Sequence, residues 1–82
     1  MKLWKISQST NCGWDTYDSA VVAAETKTEA RVMHPHSGTD IHTYKYTAGD
    51  WVVSPKLVTI EYLGVAKQGI EKSVIVASFN AG

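Results

Sequence analysis

Asp15–Pro35, DTYDSAVVAAETKTEARVMHP, is the stretch whose reading decides the fold. Within it Ser19–Ala24 (SAVVAA) has no polar interruption and is too short for an independent helix, so it reads as a mostly buried, central strand. Thr26 then opens a capping box: its hydroxyl can take the amide of Glu29, and the Glu29 carboxylate can reach back to the amide of Thr26. A helix therefore starts near Lys27. Glu25 and Glu29 fall at the positive end of its dipole, Arg31 lies further along, and Pro35 cannot continue the ladder and pushes His34 out of the helical region. A helix of about two turns does not hold alone in water, so it must pack its Ala30 and Met33 side, with Val32 beside it, against a sheet. Ala20, Ala23 and Ala24 mark where it can come close.

Outward from this stretch, the other segments read as strands. Lys2–Gln8 (KLWKISQ) alternates, with Trp4 and Ile6 on one face and Lys5 and Ser7 on the other. Ser9–Asp18 (STNCGWDTYD) is dense in turn formers, with Asn11 and Gly13 as the expected positive-φ positions, and reads as a long hairpin connection. The segment 36–50 (HSGTDIHTYKYTAGD) fits either a short edge strand or a structured loop. Trp51–Val53 is a small apolar anchor broken by Ser54 and Pro55. Leu57–Leu63 (LVTIEYL) is a strand with Val58, Ile60 and Tyr62 on one face. Lys72–Phe79 (KSVIVASF) is another, with Val74 and Val76 facing one way and Ile75, Ala77 and Phe79 the other, which suits a central position or an edge covered by another subunit.

Strands so close in the chain usually pair as an antiparallel hairpin, so the last two are expected to be partners. The fold class is then α+β, in the order β-β-α-β-β: a mostly antiparallel sheet of about four strands with one short helix on one face. One such helix cannot cover the sheet. The other face must be filled by loop aromatics, self-association or a partner.

The 82 residues make one domain, residues 1–82, and a chain this size buries only about 60 to 65% of its unfolded surface. A homodimer would add stability. Eight basic and eight acidic residues, spread without a block of either sign, argue against direct nucleic-acid binding. A lone cysteine, Cys12, excludes an internal disulfide and suits a reducing compartment. No apolar run approaches a membrane span and no signal-peptide pattern is present, so the cytoplasm is the expected location, with no membrane partner.

Chemical motifs are weak. His34, His36 and His42 with Asp40 are the only cluster of metal-ligand character, and histidines at a helix end and in a loop account for it better, so no metal or cofactor is expected. Cys12 has no base nearby in sequence to form a thiolate, and the carboxylates show no catalytic spacing. No catalytic residue is assigned and the chain reads as no enzyme. Aromatics outside the regular strands are more informative. Trp14, Tyr17, Tyr44, Tyr46 and Trp51, with Asp15, Asp18 and His42, are residue types that anchor protein interfaces, and they equally suit lids over a thin core.

YDSAVVAAE (17–25), EAR (29–31), HP (34–35), DW (50–51), IEYLG (60–64) and ASFNAG (77–82) together resemble small proteins of unassigned function encoded in bacteriophage and prophage genomes. The likeness runs from Lys2 to Gly82 and carries no catalytic residues. It implies expression in the cytoplasm of an infected bacterium, where many proteins of this size block host defences by binding, anti-CRISPR proteins among them. The expected function is a non-catalytic phage protein that binds and inhibits a host defence component. The alternative is a small oligomer that sequesters a nucleotide-like ligand through Arg31, Lys45 and the same aromatics.

Overall fold

The uninterrupted apolar run becomes the inner strand expected of it. In the computed structural model, which describes residues 1–41, 50–52 and 54–80, β2 (Thr16–Ala24) lies between β1 (Lys2–Ser7) and β4 (Ser73–Asn80), and β3 (Thr59–Val65) pairs with the other edge of β1. All three pairings are antiparallel, in the order β3-β1-β2-β4, so the fold is α+β with a four-stranded antiparallel sheet. β1 and β2 form the expected hairpin, Lys2 opposite Ala24 and Ser7 opposite Ser19.

The expected hairpin between the last two strands does not form; they occupy opposite edges. β1 and β2 pair with each other and each leaves one edge free, so β3 and β4 each have a place without meeting. Their connection, residues 66–72, runs across the end of the sheet. Ala66 N–H donates to the Met1 carbonyl at 2.9 Å, and Lys72 Nζ lies 3.8 Å from Glu29 Oε2. Three strand spacings are about 14 Å, within the roughly 23 Å that seven residues can span.

The capping box forms as read. Glu29 N–H donates to Thr26 Oγ1 at 3.2 Å and Thr26 N–H donates to Glu29 Oε1 at 3.2 Å, starting α1 (Lys27–Arg31). The helix is shorter than the two turns expected, because Val32 already leaves helical geometry and Met33 bridges to Asp40. It packs on the face bearing Trp4, Ile6, Ala20, Val22 and Ala24, where Ala30, Met33, Ile41, Trp51, Val52 and Val58 complete the core. Arg31 Nη1 donates to the carbonyls of Pro55 (3.2 Å) and Val58 (3.0 Å), fastening the helix to a 3-10 turn at Pro55–Leu57 that leads into β3.

β4 departs from simple alternation. Its pairing with β2 skips Ile75, with Val21 opposite Val76 and Val22 opposite Val74, and this bulge places Val74 on the core side while Val76 shares the open face with Val21. The two valines do not share a face as their spacing suggests.

The open face is mixed in character, with Leu3 adding apolar surface to it. It carries the exposed charges Lys5 and Glu61, opposite each other in the β1–β3 pairing, with Ser7, Ser19 and Ser78 and the valines Val21 and Val76. Apart from Trp14 and Leu57, the large exposed apolar side chains among the described residues lie on the two edge strands, Tyr62, Leu63 and Val65 on β3 and Ile75, Val76 and Phe79 on β4.

Candidate interaction site

The connection between β1 and β2 is organised by one buried amide. Gln8 follows Trp4 and Ile6 in parity and so points at the core, where an amide must be hydrogen-bonded. Its Nε2 donates to the carbonyls of Asn11 (2.7 Å) and Tyr17 (2.9 Å), and its Oε1 accepts from Asn11 N–H at 2.7 Å. Asn11 Nδ2 donates to the Trp51 carbonyl at 3.2 Å, and Thr16 Oγ1 donates to Gly13 at 2.7 Å. From β4, Asn80 Nδ2 donates to the Gly13 carbonyl at 3.1 Å while its own carbonyl accepts from Asp15 N–H at 2.6 Å.

Pinned at both ends, the loop turns at Asp15, whose φ of 60° makes it the one non-glycine residue with positive φ among the described residues. Asn11 and Gly13, expected to take that role, do not. An Asp in the left-handed region is tolerated because its short polar side chain can bond locally. The outcome is that Trp14 projects into solvent, 73% exposed, from a backbone fixed by these hydrogen bonds.

The eight residues singled out from sequence separate. Trp14, Asp15 and Asp18 are exposed, and Trp51 is a core residue at 2% exposure. Tyr17 lies within β2 rather than in a loop, half-buried, its ring 4.8 Å from Phe79 and 5.8 Å from His34. His42, Tyr44 and Tyr46 lie outside the described residues. So does Lys45. Asn80 joins the Trp14 loop, and Phe79 the Tyr17 ring, through contacts that no local pattern announces. Gln8 did carry a signal: a polar residue in the parity of Trp4 and Ile6.

His34 and His36 come together around Tyr17 as a structural cluster. His36 N–H donates to His34 Nδ1 at 3.0 Å, so that nitrogen carries the lone pair, and the neutral ring bears its proton on Nε2, which reaches Asp50 Oδ1 at 3.0 Å. The contact is thus a neutral imidazole donating to a carboxylate. Burial lowers the His34 pKa below 6.5, and His36 adds to that; the hydrogen bond and charge of Asp50 pull the other way without reversing it. Tyr17 Oη and His36 Nδ1 are 3.1 Å apart.

With both His34 nitrogens engaged, a metal would have to displace native hydrogen bonds, and no group of three or more metal-ligating side chains assembles among the described residues. Cys12 Sγ donates to the Ser9 carbonyl at 3.0 Å. Arg31, considered as a ligand contact, is committed to its two carbonyls. No helix of the described residues is long and apolar enough to cross a membrane. Comparison with models of known families, with curated proteins and with solved structures finds no match to the chain.

Proposed function

We propose that this is a non-catalytic binding module that acts by occupying another protein, with Trp14 as the anchor of its contact surface. The observation that carries this reading is a large aromatic side chain held in solvent by a loop that is itself hydrogen-bonded to Gln8 just past β1, to β2, to β4 and to Trp51. An exposed tryptophan on a prearranged backbone loses little conformational freedom on binding, which is why such residues dominate interface energetics. Asp15, next to it in the chain, and Asp18 in β2 are both exposed and would select a partner surface with complementary charge.

The partner class rests on the resemblance to phage-encoded small proteins alone. In that setting the module works in the cytoplasm of an infected bacterium as an inhibitor of a host defence component. The test is affinity capture from host lysate with wild type and Trp14→Ala side by side. A partner held by wild type should bind the variant more weakly by about 2 kcal/mol, roughly thirtyfold, at unchanged melting temperature. Equal capture by both proteins would remove Trp14 from the surface and the reading with it.

A further inference from the structure

We propose that the outer edge of β4 is a self-association site, where β4 of a second copy pairs antiparallel across a two-fold axis and joins the two sheets into one of eight strands. Ser73–Asn80 (SVIVASFN) contains no charge, proline or glycine, so the edge lacks the usual sequence devices that keep a strand from pairing. The Asn80 carbonyl accepts from Asp15 N–H on the β2 side. Strand alternation then turns the N–H and C=O groups of Ala77 and Phe79 outward, away from β2. From Val76 to Asn80 the β4 residues follow one another without an extra residue: the bulge at Ile75 lies before them, and the extra residue of the second register shift, Asp18, lies on β2.

A two-fold axis at Ser78 sets Ala77 of one copy opposite Phe79 of the other, both on the core side, and exchanges about four backbone hydrogen bonds. Phe79, half-exposed at the edge, would then cover the small Ala77 of its neighbour.

Charge favours this occupant and this direction. Lys72 and Glu71 precede the strand, and antiparallel pairing carries the two copies' charges to opposite ends, whereas parallel pairing would stack like on like. A like pairing at β3, whose middle residue is Tyr62, would bring the Glu61 side chains of the two copies onto one face near each other. The area is small. Five residues at about 3.4 Å each and about 10 Å of sheet thickness cover about 170 Å² per chain before side chains, below the roughly 1,200 Å² of stable interfaces. The dimer is therefore reversible and concentration-dependent, and it stands independently of the Trp14 surface.

Two measurements test it. In a Cys12→Ser background, Ser78→Cys should oxidise to a covalent dimer at least about tenfold faster than Glu61→Cys on the opposite edge, since Cα atoms facing across an antiparallel pair fall within disulfide range. Sedimentation of wild type over a roughly hundredfold concentration range should show reversible dimer that Val76→Lys abolishes and Val65→Lys, at 74% exposure on β3, leaves intact. Circular dichroism checks that each variant is folded, and the cysteine pair decides the matter should Val76→Lys fail to fold. Equal oxidation rates, or monomer throughout the range, would overturn the proposal.

Discussion

The two edges of the sheet expose similar side chains and differ in what their backbones offer. β3 presents Tyr62, Leu63 and Val65, and β4 presents Ile75, Val76 and Phe79. Yet β3 carries the charge of Glu61, Gly64 at a φ of 140°, a register shift opposite Leu3 and Trp4, and a guanidinium clamp where the chain leads into it. β4 has its bulge at Ile75 and then five uncharged residues in unbroken succession, the extra residue of the second register shift, Asp18, lying on the β2 side. Apolar exposure alone therefore does not distinguish a surface meant for contact from one that is merely left over. A row of outward N–H and C=O groups with nothing to repel a partner does.

The two edges also rest on different supports. His34 lies beneath Tyr17, whose ring rests on Phe79, so it underpins the β4 side of the molecule. His34→Ala leaves the Asp50 carboxylate and the His36 amide without this partner and opens a cavity, and should cost about 3 kcal/mol in urea unfolding. Arg31→Ala removes two hydrogen bonds from a charged group on the β3 side and should cost about 2 kcal/mol. Its effect on native-state exchange should appear first in β3, and that of His34→Ala around Tyr17 and Phe79. Equal loss of protection at both edges in each variant would show the sheet to be one cooperative unit.

A smaller effect follows from protonation. His34 stays neutral in the folded chain at pH values where the unfolded chain, with an ordinary pKa near 6.5, has begun to take up a proton. The unfolded state binds more protons in that window. Stability should hold above pH 7 and fall as pH drops through 6.5 toward the lowered folded value, by at most about 1.4 kcal/mol per pH unit from this group. His34→Gln, measured by urea unfolding at pH 7.5 and pH 5.5, should flatten that slope; an unchanged slope would assign it to other groups. Smallest of all, Val65→Lys and Val76→Lys should each change monomer stability by less than about 0.5 kcal/mol, since both side chains stand largely in solvent.

Sequence carried the local signals well and the long-range ones poorly. Thr26 and Glu29 announce a helix start through bonds made within four residues, and the parity of Trp4 and Ile6 announces a buried face, so both were legible. The placement of β3 and β4 was not. Their proximity in the chain favours a hairpin, and only the pairing of β1 with β2, remote in sequence from both, leaves two separate edges to fill. The bulge at Ile75 likewise reverses parity without leaving a trace in SVIVASFN. Of the candidate site, Trp14 and Trp51 sit in similar turn-rich contexts, and what separates them is tertiary: the Gln8 and Asn80 bonds hold one loop outward while the other tryptophan completes the core.

The inequality of the two edges is tested most directly by residue-resolved amide hydrogen exchange on wild type at low and high protein concentration. The outward amides of Ala77 and Phe79 should gain protection as concentration rises while the amides of β3 do not change. Protection that is independent of concentration at both edges, or that rises equally at both, would contradict it.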